Sequence, residues 1–199
     1  MNQDRKYLTE ASATCKTEGG SITLRVQAGI GENLLLLHYA VLNGFRQTVY
    51  LVNRVFQWTQ KGLSVDASLM YTELIDGALQ LTKACIPVPP HIRVESPDVP
   101  YLTSVPSGER ATEEYQLPLP LTPFHPYSQV PQSQTPHIFK PIVFALGWFP
   151  AGTVSIRSQE RPEGKTMLSA NYGEVIQAQE VLRVTLPLSI PAYIAVKES

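Results

Sequence analysis

The sequence predicts an all-β fold built from packed antiparallel sheets, and three observations carry this prediction. Two apolar runs, Leu34 to Leu42 and Thr48 to Trp58, flank the polar segment Asn43 to Gln47. Asp76-Gly77 separates two further apolar runs, and Asn-Gly and Asp-Gly in this setting are typical of β-hairpin turns. No stretch of ten or more residues combines helical periodicity with capping residues. These features favour an antiparallel meander over alternating strands and helices.

The stretch from Asn33 to Trp58 is the expected centre of the core. Four consecutive leucines begin its first run, and such continuous apolarity is typical of a strand covered on both faces. A buried helix has the same apolar density, but the β-branched and aromatic residues of the second run favour strands. One face of this second strand is expected to carry Val49, Leu51, Asn53, Val55 and Gln57.

Flanking segments extend the β prediction along the chain. Residues 1 to 20 are polar and are interpreted as a flexible lead-in, and residues 21 to 199 as a single β-sandwich domain. Ser21 to Gln27 alternates as a half-buried strand, Ala111 to Leu117 is expected to be a strand, and Ile142 to Phe149 is a dense apolar strand. Tyr172 to Leu182 fits a short helix and an extended segment equally well.

A proline-rich region interrupts this pattern. Of the seventeen prolines, fourteen fall between Pro87 and Pro150, where they disfavour central, fully paired strands. Leu117 to Phe139 holds six prolines, several aromatic residues and no charge. Since disordered tails are usually charged and poor in aromatics, we interpret 117–139 as a long loop that covers the second face of Asn33 to Trp58. Its PxxP spacing also fits a polyproline ligand, so packing on its own domain and binding to a partner both remain open.

Composition limits the classes of partner. The chain is 43% hydrophobic and 17% charged with a formal net charge of -1, so it lacks the basic surface expected for nucleic acid or an anionic membrane. The N-terminus has no apolar stretch typical of a signal peptide, and only two cysteines occur. A cytoplasmic location with reduced thiols is therefore predicted, with Cys85 buried and Cys15 exposed.

No local motif indicates a reaction. The four histidines are scattered over different segments, so the sequence predicts no metal site and no cofactor. Neither a nucleophile elbow nor a phosphate-binding glycine loop is present. Glu113 and Glu114 are expected to point to opposite faces of a strand, which is unsuitable for joint acid-base work, and both are interpreted as part of a solvated edge.

The run LHYAVLNGFRQTVYLV, followed by a hairpin and later by the turn Val105-Pro106-Ser107-Gly108-Glu109, resembles bacterial immunoglobulin-like sandwiches. The intracellular proteinase inhibitor family has the same general layout. The resemblance implies an immunoglobulin-like antiparallel β-sandwich over about half of the chain and assigns no functional residue. The long proline-rich segment departs from that layout.

The first functional hypothesis is a non-enzymatic domain that recognises another protein through loops or an edge strand. Because recognition residues concentrate on loops of rigid scaffolds, Phe124, His125 and Tyr127 are the predicted binding residues. The second hypothesis is a hydrolytic or small-molecule site that the proline-rich loop builds around His91, His125 or His137. The third is a structural subunit of a larger assembly. Oligomeric state is left open.

Overall fold

The computed structural model describes residues 8–60, 62–127, 132–160 and 166–195. These residues are mostly in strands, with one short helix, α1 (Tyr172–Ala178). The strands are β1 (Thr9–Thr17), β2 (Gly20–Ile30), β3 (Leu34–Asn43), β4 (Val49–Arg54), β5 (Phe56–Thr59), β6 (Gly62–Val65), β7 (Tyr71–Ile75), β8 (Ala78–Lys83), β9 (Tyr101–Val105), β10 (Arg110–Pro118), β11 (Gln132–Phe139), β12 (Ile142–Pro150), β13 (Arg157–Glu160), β14 (Thr166–Ser169), β15 (Glu180–Leu186) and β16 (Ile190–Ile194). The all-β prediction is confirmed. Within the described residues no helix is long and apolar enough to cross a membrane.

Two large sheets enclose a common apolar core. One has the strand order β1-β2-β3-β10, and the other has the order β13-β14-β9-β4-β12-β8-β7 with β15 on the opposite edge of β12. Strands of both sheets direct alternate side chains into this core, as the apolar alternation predicts. Its largest fully buried members include Trp148, Tyr39, Phe144, Leu37 and Leu51. Two smaller pairs, β5-β6 and β11-β16, lie outside the large sheets.

The connection at Asn43-Gly44 crosses from one sheet to the other, so the predicted hairpin there is wrong. β3 pairs with β2 and β10, whereas β4 pairs with β9 and β12. The buried Asn43 side chain holds this crossing by donating to the Val105, Pro106 and Gln47 carbonyls and by accepting the Phe45 amide. Gly44 allows the chain to pass close to the Ser21 backbone, because a Cβ at position 44 would lie 3.0 Å from the Ser21 carbonyl oxygen.

The second predicted hairpin is confirmed. β7 and β8 are antiparallel with Ile75 opposite Ala78, and the two turn residues Asp76 and Gly77 both have positive φ. A primed two-residue turn requires this conformation. The meander prediction is nevertheless wrong beyond this point, because β8 runs parallel to β12. The segment from Tyr172 combines both expected states, since α1 is followed directly by β15.

Two irregular segments expected from the sequence contain strands. Residues 9–17, expected to be part of a flexible lead-in, form β1, because Ala11, Ala13 and Cys15 pack against the main core. Residues 132–139 of the expected loop form β11, which pairs with β16, and residues 128–131 lie outside the described residues. The outer face of β4 is covered by a cluster that includes Val175 of α1. Val55, which follows β4, lies instead in a cluster with Phe124 and Tyr127 of the proline-rich segment.

Candidate functional site

The middle of β12 positions an unusual strand junction. β8 pairs with residues 142–146 of β12 and β4 pairs with residues 147–150 along the same edge, so the ends of β4 and β8 meet there and diverge. The pairing of β4 with β9 shifts register between Val52 and Arg54. A bulge of this kind re-aims side chains, and here Asn53 and Arg54 both reach Glu113 on the facing sheet.

Five polar side chains connect the two sheets at this junction and form the inter-sheet polar cluster. The Glu113 carboxylate accepts from the Tyr39 hydroxyl at 2.9 Å and the Asn53 amide at 3.1 Å, and its oxygen lies 2.7 Å from an Arg54 nitrogen. Thr103 closes the network by donating to the Asn53 amide oxygen and accepting from Arg54. Because the members satisfy one another, the cluster fixes the relative position of the sheets.

The predicted solvated edge is therefore wrong for Glu113, although the opposite orientation of Glu113 and Glu114 is confirmed. The Glu113 side chain is only 11% exposed, whereas Glu114 is exposed. Glu113 lies on the core-facing side of β10, between Ala111 and Tyr115. Its carboxylate is tolerated there because Arg54, Asn53 and Tyr39 replace the water that it loses.

Lys83 fills the gap between the diverging strands. Its side chain is fully buried, and its Nζ donates to the carbonyls of Asn53, Ala67 and Leu69 at 3.2, 2.6 and 3.1 Å. The same Nζ lies 4.5 Å from the centre of the Tyr115 ring. These contacts favour the ammonium form, but burial outweighs them and lowers the pKa of Lys83 to about 7.

We expect this burial to give the protein a stability maximum near pH 9. A lowered lysine pKa means that stability is lost as pH falls from the ordinary value of 10.5 towards 7, at roughly 1 kcal/mol per pH unit. Burial also raises the pKa of the Cys85 thiol from 9.0 to about 12, so its contribution is lost as pH rises above 9. Urea unfolding midpoints should therefore rise between pH 7 and pH 9, and this rise should be absent in Lys83→Met. An equal rise in that variant would contradict the assignment.

The structure places the predicted binding residues Phe124, His125 and Tyr127 against their own chain. The Phe124 ring centre lies 5.6 Å from that of Tyr71, and the Phe124 carbonyl accepts the Thr72 amide. Tyr127 accepts the backbone amide of Asp98 through its hydroxyl. The three residues thus cover the outer face of β7 and β8, and packing on their own domain is the arrangement observed.

Of these three residues, His125 is the one whose side chain could take part in acid-base chemistry. Its Nε2 lies 3.5 Å from the Glu73 carboxylate, and its Nδ1 accepts the Tyr127 amide at 3.1 Å. The hydrogen bond to His125 lowers the pKa of Glu73. Because Nδ1 is occupied by a backbone amide, the ring is fixed in one tautomer and serves to hold the segment on β7. No group of three or more potential metal ligands converges anywhere in the described part of the chain.

The most exposed aromatic surface among the described residues lies on the β5-β6 hairpin, which we call the Trp58 hairpin (residues 56–60 and 62–65). Trp58 is 73% exposed, the highest value among the large hydrophobic side chains described. It lies opposite Leu63, and the pair Phe56 and Val65 lies two residues along the same face. In the described structure this hairpin pairs with no other strand, and the Phe56 ring rests 5.8 Å from that of Tyr101.

Sequence reasoning missed both features. The apolar run ending at Trp58 predicts a strand covered on both faces, whereas the turn composition directly after Trp58 is a signal that this residue ends a hairpin arm. Lys83 was missed because it follows Leu79 and Leu81 on an alternating buried face, a position at which a charged residue is itself the signal. No protein-family model, curated protein or solved structure matches this chain.

Proposed function

We propose that this chain is a non-enzymatic protein-interaction domain with an immunoglobulin-like β-sandwich scaffold, and that the Trp58 hairpin is its contact surface for a partner protein. The exposure of Trp58 carries the proposal, because a tryptophan left 73% exposed is unusual in a surface that binds nothing. Tryptophan is also among the residues most enriched at the energetic centres of protein interfaces. The two unpaired cysteines support a cytoplasmic location.

The surroundings of Trp58 support a rigid scaffold with one projecting contact element. Phe56 anchors the hairpin on Tyr101, while Leu63 and Val65 extend the apolar face on the second strand. The inter-sheet polar cluster lies at the base of the hairpin, since Asn53 and Arg54 end β4 and only Val55 separates them from β5. Such an arrangement presents an aromatic anchor at low cost in conformational entropy.

We expect Trp58→Ser to weaken partner capture at least tenfold, because truncating an interfacial hot spot costs about 2 kcal/mol or more. The bait is the tagged full chain, and proteins retained from an extract of the native source are quantified against Trp58→Ser. Leu42→Ser is the matched control, since Leu42 is half-exposed on the four-stranded sheet. Both variants should unfold within about 0.5 kcal/mol of the wild type.

If wild type and Trp58→Ser retain the same partners equally, the Trp58 hairpin is not the contact surface. The alternative of a structural subunit predicts a defined oligomer by light scattering, and Trp58→Ser would then yield monomer. In the hydrolytic alternative, the site lies at His125 and Glu73. Glu73→Gln would then lower the hydrolytic activity without changing partner capture.

A further inference from the structure

Both stems of the Trp58 hairpin are tied to one buried side-chain atom. Asn53 lies just before β5, and Ala67 and Leu69 lie just after β6. The carbonyls of all three residues accept from Lys83 Nζ, at 3.2, 2.6 and 3.1 Å. A two-stranded hairpin alone is marginally stable in water. The protonation state of Lys83 therefore affects the stability of the whole Trp58 hairpin.

Charged and titratable groups reach Lys83 from each element around it. Glu113 and Tyr115 face it from β10, Arg54 from β4, and Asp66 from the segment after β6. Glu113 and Asp66 favour the ammonium form and Arg54 opposes it, but the Glu113 charge is already engaged by Arg54. Burial is the largest effect on the pKa of Lys83 and acts against the charged form.

The direction in which pH changes hairpin opening follows from the difference in proton affinity of Lys83 between the closed and the opened state. A neutral amine has two donors for the three carbonyls, and an ammonium ion has three, but the ion also loses far more hydration on burial. If the stems part, water reaches Lys83 and the group takes up a proton more readily. Proton uptake therefore favours the opened state, and proton loss favours the closed one.

We propose that Lys83 makes the mobility of the Trp58 hairpin responsive to pH: the neutral amine ties both stems to the sheet junction, and the hairpin loosens progressively as the pH falls towards neutrality. The change in mobility is a property of the isolated chain. Its consequence for partner binding rests on the proposed function, because loosening would disorder the face that carries Trp58.

Hydrogen exchange of the full-length chain tests this inference without a partner. Protection factors of amides in residues 56–65, which already correct for intrinsic exchange chemistry, are compared at about pH 6 and about pH 8.5. We expect them to be about tenfold lower at the acidic pH, with amides of β2 and β3 unchanged. In Lys83→Met the hairpin should show equal protection at both values, and the exposed control Lys16→Met should behave as wild type.

Equal wild-type protection at the two pH values would overturn the inference. So would a pH dependence in Lys83→Met that matches the wild type, because a group other than Lys83 would then be the cause. Should Lys83→Met fail to fold, the carbon-13 resonance of Lys83 Cε supplies the second measurement. Hairpin protection must stop falling once the pH drops below the Cε titration midpoint, because both states are then protonated, and a fall that continues below that midpoint would reject the coupling. If hairpin protection depends on Lys83 as expected but Trp58→Ser captures partners as well as the wild type, only the proposed function is rejected.

Discussion

Glu113→Gln is expected to lower the free energy of unfolding by about 3 kcal/mol. Asn53 and Arg54 contact the same carboxylate oxygen, so an amide oxygen there would keep both contacts but lose the charge that pairs with Arg54. The NH₂ group would replace the oxygen that accepts the Tyr39 hydroxyl. Loss of one partner of a buried ion pair costs about 3–5 kcal/mol, and the lower end applies because Arg54 is 34% exposed and can rehydrate. Urea denaturation followed by circular dichroism measures the change.

Glu114→Gln is the matched control for this prediction. The residue is adjacent in sequence, chemically identical and on the exposed face of β10. We expect a change within about 0.5 kcal/mol, as is usual for surface substitutions. Equal effects at the two positions would show that the inter-sheet polar cluster does not hold the sheets together.

The second large effect is expected at Gly147, where alanine should cost about 2–4 kcal/mol. Beyond the end of β8, the Gln179 side chain takes over the hydrogen bonds of Cys85, accepting its amide at 2.8 Å and donating to its carbonyl at 3.1 Å. A Cβ on Gly147 would collide with Gln179 Oε1 and lie 2.9 Å from the Ala84 Cβ. Displacing Gln179 would leave both backbone groups of the buried Cys85 without these partners.

A double-mutant cycle checks this mechanism. Gln179→Ala removes the same two hydrogen bonds, so the double variant Gly147→Ala/Gln179→Ala should be less destabilised than the sum of the single variants. Gly31→Ala is the control glycine, since its nearest neighbour would lie 3.8 Å from the new Cβ, an ordinary contact. Additive effects at Gly147 and Gln179 would show that the steric conflict is relieved elsewhere.

Local rules predicted most of the strands. Alternation placed Ile22, Leu24 and Val26 on the buried face of β2, and Asp76-Gly77 marked a hairpin that the structure contains. These predictions succeed because period-two burial and primed turns depend on neighbouring residues. The same dipeptide logic was wrong at Asn43-Gly44, where Asn43 bonds carbonyls around Val105, far away in sequence. Sheet membership depends on such distant partners.

The candidate site was predictable only in part for the same reason. Turn composition after Trp58 could mark the end of a hairpin arm, but exposure depends on whether another element covers that arm. The aromatic residues of the proline-rich segment were expected to pack on their own domain or on a partner. Phe124 packs against Tyr71 of the same chain. Lys83 was recognisable as a charge on an apolar face, whereas its three carbonyl acceptors follow from the divergence of β4 and β8.

Site-specific photo-crosslinking reports whether the Trp58 hairpin contacts a partner protein. A photoreactive amino acid is placed at position 58 and, in a matched protein, at the half-exposed position 42. We expect the partner lost in Trp58→Ser to crosslink strongly from position 58 and weakly from position 42. Equal crosslinking from both positions, or none from position 58 while capture persists, would contradict it.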